Sequence, residues 1–508
     1  MSIEFQQQPL YLYDHFEQAV QKFPNLSIHI DQSLQAFPEI KDTTTYAAVF
    51  EYIQKRVRQF NHYNISPGDH VILFKSEAID TYWLAVAVAA LGAIPVMVSY
   101  HFKPHVIRVF QERLNNPFIV FDQRTATVIE QLDSSYADRY IAIKDLIQQP
   151  EQAFQPTRLD ENAISFITHT SGTTGIPKLI CHSAQSMGWR VKWQMEVLAP
   201  IKERGTIAFH ISPVHSRFNI GITSIMALGF PMLAIMNSKT DHIKELIPRF
   251  EPIALETHPN HFVQWSMLAR RHPEVFSSIR YYHSTFDAIN KETITPFLLS
   301  RPERDAIYMQ VYGQSECGPS ILRYHTLNTL PHVDFRNMGV GYKDLTQARI
   351  ADANGHILPN NKPGHIHLLS KGRALTYYQE ESRFNENVYD LWWDTGDFGY
   401  LNDSNELILL DRQIDLVDTL PSTLAIEDAV MDQLPWLAEM IIVRDPKGAA
   451  QPVLALHDGY EMNWTEWFQA IGNIPTLKEP IILAYNDIPR TATMKVQRRE
   501  LEHQLFGQ

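Results

Sequence analysis

Thr168 to Lys178 reads THTSGTTGIPK and follows an apolar run, Ala163 to Ile167, of strand composition. Hydroxyls and unhindered backbone N–H groups form a cradle for phosphate oxygens. Glycine lets the backbone approach closely, and Lys178 supplies a mobile positive charge. The spacing is not the Walker pattern, which ends in Gly-Lys-Ser/Thr and opens a helix at once. Taken alone, the same residues also read as a plain Gly/Ser/Thr turn between two elements.

The rest of the chain narrows the choice. At 508 residues it exceeds one ordinary core, so two or more domains are expected. A composition of 44% hydrophobic and 20% charged residues is that of a globular protein. The net charge of −13, with no long basic run, argues against nucleic acid as a partner. Two distant cysteines, Cys181 and Cys317, form neither a disulfide framework nor a metal motif and suit a reducing compartment. No basic-then-apolar secretory signal is visible at the N-terminus, so a cytoplasmic location is expected. The most apolar stretch, Tyr82 to Tyr100, is broken by Gly92 and Pro95. It reads as a buried helix, a Gly–Pro turn and a short buried strand, not a membrane segment.

Strands and helices alternate from there, which predicts a largely parallel sheet covered on both faces. Asp122 to Leu159 reads as a helix-loop approach to the loop, Ser183 to Leu198 as a helix, and Thr206 to Ile211 as a strand. Asn337 to Leu375 alternates apolar and polar residues around turns at Asn354-Gly355 and Lys362-Pro363-Gly364, an antiparallel region.

The string SGTTGIPK resembles the phosphate loop of the adenylate-forming superfamily: acyl-CoA synthetases, adenylation domains, luciferases and amide ligases. VYGQSE, Val311 to Glu316, resembles its Tyr-Gly-Gln-Thr-Glu motif, and WWDTGDFGYL, Trp392 to Leu401, its Thr-Gly-Asp motif. NDIPRTATMKVQRREL, Asn486 to Leu501, is similar to its terminal Gly-Lys-x-x-Arg motif, with Met494 in the Gly place. The resemblance covers nearly the whole chain in the expected order. It implies an α/β fold: a large N-terminal domain, 1–411, of two αβ-layered subdomains and a β-barrel-like subdomain at about 337–411, then a mobile α+β domain, 412–508.

The resemblance also implies the chemistry: activation of a carboxylic acid by ATP as an acyl-adenylate, with Mg²⁺, then transfer to an acceptor. Thr170, Ser171, Gly172, Thr173, Thr174, Gly175 and Lys178 would grip the phosphates. Ser315 would bind the α-phosphate or carboxylate, and Glu316 would hold Mg²⁺, a hard cation that takes carboxylate oxygens. Tyr312, Gly313 and Gln314 would meet the nucleoside, Asp397 would accept from both ribose hydroxyls, and Arg412 would bind ribose or phosphate. Lys495 would bridge the substrate carboxylate and the α-phosphate.

Pro213, His215 and Gly221 match the family's acyl-pocket segment, which implies a pocket lined by His215, Arg217, Phe218, Gly221, His258, His283, Thr285 and Phe286. Arg217 is unexpected there: it reads either as recognising a second anionic or carbonyl group of the substrate, or as a surface arginine. Thr285 and Phe286 stand where relatives carry glycines beside adenine; an ordinary strand-to-helix turn capped near Asn290 is the other reading. The hinge departs further. Ile414 replaces a polar residue, Asp418 a lysine, and Leu420-Pro421 a glycine that lies beside the pantetheine channel in thioester-forming relatives. That departure favours an amine or amino acid as acceptor, with CoA or a carrier protein as the alternative.

Overall fold

The computed structural model describes residues 4–170, 176–284, 289–412, 417, 420, 422–472, 474, 477–490 and 496–507, with the side chains of 411, 412 and 425 outside the description. The chain forms an α/β protein with several sheets, divided into two compact units. The first comprises Met1–Glu256 with two later excursions, Gln314–Pro319 and Ser370–Glu386; the second holds the remainder.

In the first unit, a seven-stranded sheet runs in the order Thr376–Tyr377, Leu179–Ser183, Ile164–His169, Ile94–Val98, His70–Phe74, Phe118–Phe121, Tyr140–Ala142. Its middle pairs parallel, and its first two pairings are antiparallel. The parallel strands are near-continuous Val/Ile/Leu/Phe runs because helices cover the sheet, and residues such as Ile72, Phe74, Val96 and Ile119 are fully buried. The apolar stretch divides as helix Asp80–Ala90 and strand Ile94–Val98; among the described residues no helix is long and apolar enough to cross a membrane. Gly92 makes the turn with φ +73°, whereas Pro95 is already inside the strand, opposite Val71. As the strand's second residue, it places its missing N–H at the strand entry, where a ladder loses least. Ser183 caps the helix Ala184–Leu198 through a reciprocal bond with Ser186. The approach to the loop is a series of short pieces: helices Ala126–Ile129 and Ile143–Leu146 flank a 3₁₀ turn and the strand Tyr140–Ala142.

In the second unit, Tyr281–Ser284 and Ile307–Gln314 pair in parallel. Asn290 caps the helix Lys291–Ser300, its side chain accepting from Thr293 N–H at 2.8 Å. Gly318–His325, Asn337–Gly341, Leu407–Arg412, Trp392–Leu401 and Gly364–Ser370 continue as antiparallel neighbours, followed by Thr346–Ala351. This barrel-like region is an open run of strands. Beyond it, Leu437–Arg444 and Ala450–Leu456 pair antiparallel, and Ile481–Ile482 adds in parallel. Period-two alternation divides their side chains: Met440, Ile442 and Leu454 pack with Trp467, while Ile441, Val443 and Val453 pack with Leu501. The expected boundary at 411/412 falls inside this second unit.

Candidate active site

The strand Ile164–His169 ends at the phosphate-type loop, and the chain returns antiparallel as Leu179–Ser183, with His169 opposite Leu179. Thr170 N–H donates to Lys178 O at 3.0 Å, and Lys178 N–H donates to Thr170 Oγ1 at 3.1 Å, so the loop is tied at its base. Ser171, Gly172, Thr173, Thr174 and Gly175 lie outside the described residues.

What fixes Lys178 is supplied by the two excursions. Its Nζ lies 3.1 Å from Tyr377 Oη and 4.4 Å from the Tyr377 ring centroid. The Tyr377 hydroxyl donates to Glu316 Oε1 at 2.6 Å. The phenol therefore links an ammonium to a carboxylate, accepting from one and donating to the other. Burial and the neighbouring Glu316 charge both raise the Tyr377 pKa, so this donor keeps its proton. Burial lowers the Lys178 pKa, and Glu316 opposes that shift.

Glu316 sits in a turn, closed by Cys317 N–H donating to Gln314 O at 3.1 Å, that also carries Ser315. Arg190 braces it from the helix Ala184–Leu198: Nη2 donates to Glu316 O at 2.8 Å, Nε to Gly372 O at 2.6 Å, and Nη1 to Ser216 Oγ at 3.1 Å. Burial draws Arg190 down to about 10, and Cys317 and Glu316 hold it up. Its side chain passes where two glycines leave room. A Cβ on Gly372 would lie 2.5 Å from Arg190 Cγ, and one on Gly318, at φ +75°, 2.9 Å from Cδ. The buried Glu316 carboxylate fits a hard divalent cation. Among the described residues no cluster of three or more His, Cys, Asp or Glu forms an all-protein cage, so Mg²⁺ there would be completed by phosphate and water oxygens.

On the helix Ser216–Leu228, His215 is the N-terminal flanking residue, buried, with its ring 5.9 Å from that of His169. His169 is held as a neutral tautomer: Ser99 N–H donates to Nε2 at 3.2 Å, and Nδ1 meets Thr170 O at 2.7 Å. Burial lowers its pKa to about 4. Phe218 packs against Tyr82 and Phe209. Arg217 is neither at the surface nor open-handed: Nε and Nη2 grip Glu256 at 2.6 and 2.7 Å, and Nη1 donates to Gln194 at 2.6 Å. A Cβ on Gly221 would just touch that guanidinium, at 4.0 Å.

In the second unit, Tyr312 Oη donates to Asp397 Oδ2 at 2.6 Å, joining directly two of the residues expected to meet the nucleoside. Gly313 follows on the same strand, and Asp397 stands opposite Arg412 in the register of Trp392–Leu401 with Leu407–Arg412. His283 is committed to Met309 O through Nδ1 at 3.0 Å, and His258 flanks the helix Pro259–Arg271 with its ring 6.2 Å from His261. Thr285, Phe286, Lys495 and the Arg412 side chain lie outside the described residues, as do hinge positions 414, 418 and 421. Tyr377 and Arg190 belong to the network around Lys178 and Glu316, and the motifs did not mark them.

Comparisons with known proteins identify the family. The family described as AMP-binding enzyme matches residues 16–378. A 3-amino-2-hydroxy-4-methoxybenzoate diazotase from Streptomyces cremeus is 30% identical, over 98% of this chain and 96% of that protein. A 4-chlorobenzoate–CoA ligase from Arthrobacter sp is 23% identical, over 92% of this chain and 91% of that protein. The solved structure of an anthranilate CoA ligase in complex with anthranoyl-AMP superposes with a TM-score of 0.81 at 15% identity, covering 98% of both chains. With the motifs in order and the match spanning most of its length, the chain belongs to the AMP-binding enzyme family of adenylate-forming ligases.

Proposed function

We propose that this enzyme activates a small or medium carboxylic acid with ATP and passes the acyl group to an amine nitrogen. A carboxylate oxygen attacks the α-phosphorus and the bond to pyrophosphate breaks, giving the mixed anhydride. The amine nitrogen then attacks the carbonyl carbon, AMP leaves with the C–O electron pair, and the nitrogen loses a proton. The first step needs two anions brought together and their charge neutralised. Lys178 and the loop N–H groups suit the phosphates, Glu316 suits Mg²⁺, and Lys495 is assigned to the carboxylate and α-phosphate. Ser315 is assigned to the α-phosphate, Asp397 to the ribose hydroxyls and Arg412 to ribose or phosphate. His215, Phe218 and Gly221 are assigned to a wall of the acyl pocket. Arg217, already gripped by Glu256 and Gln194, is assigned to shaping that wall and not to binding substrate. Residues 412–508 are assigned as the mobile domain that serves the acceptor step.

One observation carries the choice of acceptor: 30% identity, over nearly the whole chain, to a diazotase, an enzyme whose chemistry takes place at an amino group. The same observation supports a second reading, in which nitrite is the oxyanion. Its oxygen would attack the α-phosphorus, an arylamine nitrogen would displace AMP from the nitrite nitrogen, and loss of water would leave a diazonium ion. Pyrophosphate release with a panel of acids, and with nitrite plus aminobenzoates, separates the two. Products are then trapped with amines and with CoA in parallel. Release that depends on an acid, with amide formed, supports the first reading; release that depends on nitrite supports the second. Robust thioester with no amide rejects both.

A further inference from the structure

In the strand Gly364–Ser370, successive side chains alternate between faces, so His365 and His367 share one face and the fully buried Ile366 and Leu368 the other. The neighbouring strand Trp392–Leu401 places Asp394 opposite His367. Asp394 Oδ2 lies 3.4 Å from His365 Nδ1 and 4.0 Å from His367 Nε2. Its other oxygen faces the opposite way: Oδ1 accepts from Gly396 N–H at 2.9 Å. Gly396 has φ +72°, the left-handed region that a side chain resists. The turn is completed by Thr395 Oγ1, which donates to Ile366 O at 2.9 Å and accepts from Asp397 N–H at 3.1 Å. Asp394 thus stands between a histidine pair and the turn that delivers Asp397.

The proton inventory explains why the residue is an aspartate. Arg349 Nη2 lies 3.4 Å from His367 Nδ1, and a guanidinium has only donors, so Nδ1 accepts and the neutral ring carries its proton on Nε2, towards Asp394. Tyr389 stacks on His367 with centroids 4.7 Å apart, and Arg349 lies over the Trp392 ring at 4.6 Å, which fixes both partners in place. A metal ion does not fit here, because it would need the Nε2 lone pair and would sit beside a permanent cation. A carboxylate does fit: its Oδ1 accepts from Gly396 N–H, and its Oδ2 faces both imidazoles, at 3.4 and 4.0 Å, without presenting a donor of its own.

We propose that Asp394, seated by His365 and His367, is a positioning residue for nucleotide binding, fixing the Gly396 turn and with it the Asp397 carboxylate. This rests on the assignment of Asp397 to the ribose hydroxyls. The test uses the full chain and reads the ATP dissociation constant by equilibrium binding, with the KM for ATP and for the acid where turnover is measurable. Asp394→Ala removes the turn's acceptor and is expected to weaken ATP binding about tenfold, leaving the KM for the acid within about twofold. Asp394→Asn keeps an acceptor for Gly396 N–H and is expected to recover most of the loss. The double variant His365→Ala/His367→Gln should shift ATP binding in the same direction by about threefold. Asp397→Ala is run beside them. If it abolishes ATP binding while Asp394→Ala stays within about twofold of wild type, the positioning role is overturned and the Asp397 assignment stands. If neither variant affects ATP binding, both are overturned. If Asp394→Ala does not fold, the histidine double variant reads the same constant, and no change there rejects the proposal.

Discussion

Replacing Tyr377 by Phe isolates a single hydroxyl in the phosphate-side network. The ring keeps its edge contact with Phe384, at 5.1 Å between centroids, and the main chain keeps its pairing of Tyr377 with Ile180. What disappears is a donor 2.6 Å from Glu316 Oε1 that is also 3.1 Å from Lys178 Nζ. Hydrogen bonds to charged groups contribute about 1.5–3 kcal/mol each, and the carboxylate here is buried, which places the loss in the upper part of that range. With the phenol gone, nothing separates ammonium from carboxylate, and Lys178 is drawn towards Glu316 and away from the position it holds at the loop base. Carried into the transition state, the same 1.5–3 kcal/mol appears as a fall of about 10- to 150-fold in kcat for ATP–pyrophosphate exchange. Exchange kinetics over a range of Mg²⁺ concentrations, paired with urea unfolding, measure both halves. Exchange within about twofold of wild type would refute the role given to Tyr377, whatever the stability change.

Further expectations concern buried charge, protons and the terminal motif. Arg217→Ala removes the two-nitrogen grip on the buried Glu256 carboxylate and should destabilise the protein by about 3–5 kcal/mol in urea unfolding, whereas Arg217→Met/Glu256→Leu should recover most of that; equal losses would contradict a paired buried charge. His15, His169, His325 and His367 are held to about 4 by burial, below the ordinary imidazole value. Between about pH 6.5 and 4 the unfolded chain therefore binds more protons than the folded one, and stability rises with pH across that window. The urea midpoint should fall from pH 7 to pH 5, and His169→Gln should flatten the fall; a midpoint independent of pH would contradict the buried neutral rings. Lys495→Ala should abolish adenylate formation and spare transfer from a supplied acyl-adenylate; equal loss of both steps would remove the role assigned to that lysine.

Local features were readable from sequence because their causes are local. Asn290 caps a helix that starts at the next residue, and Gly92 occupies a turn that needs a positive φ. The loop from Thr168 to Lys178 belongs to the same class, since Thr170 and Lys178 close it on each other. Arg217 shows where that reasoning stopped: of the two readings, surface and substrate contact, burial removes the first, and the partner that holds it, Glu256, lies 39 residues away. Tyr377 carries no local signal at all. It lies 199 residues from Lys178 and 61 from Glu316, and the contact exists only because Gln314–Pro319 and Ser370–Glu386 return to the first unit. The same return threads Arg190 between Gly318 and Gly372, so those glycines are required by a side chain from a distant helix and not by their own turns alone. The consequence reaches the chemistry. The loop supplies the lysine, but the position of that lysine is set by a phenol and a carboxylate from the two excursions, so a change in either excursion should alter phosphate handling without touching the loop.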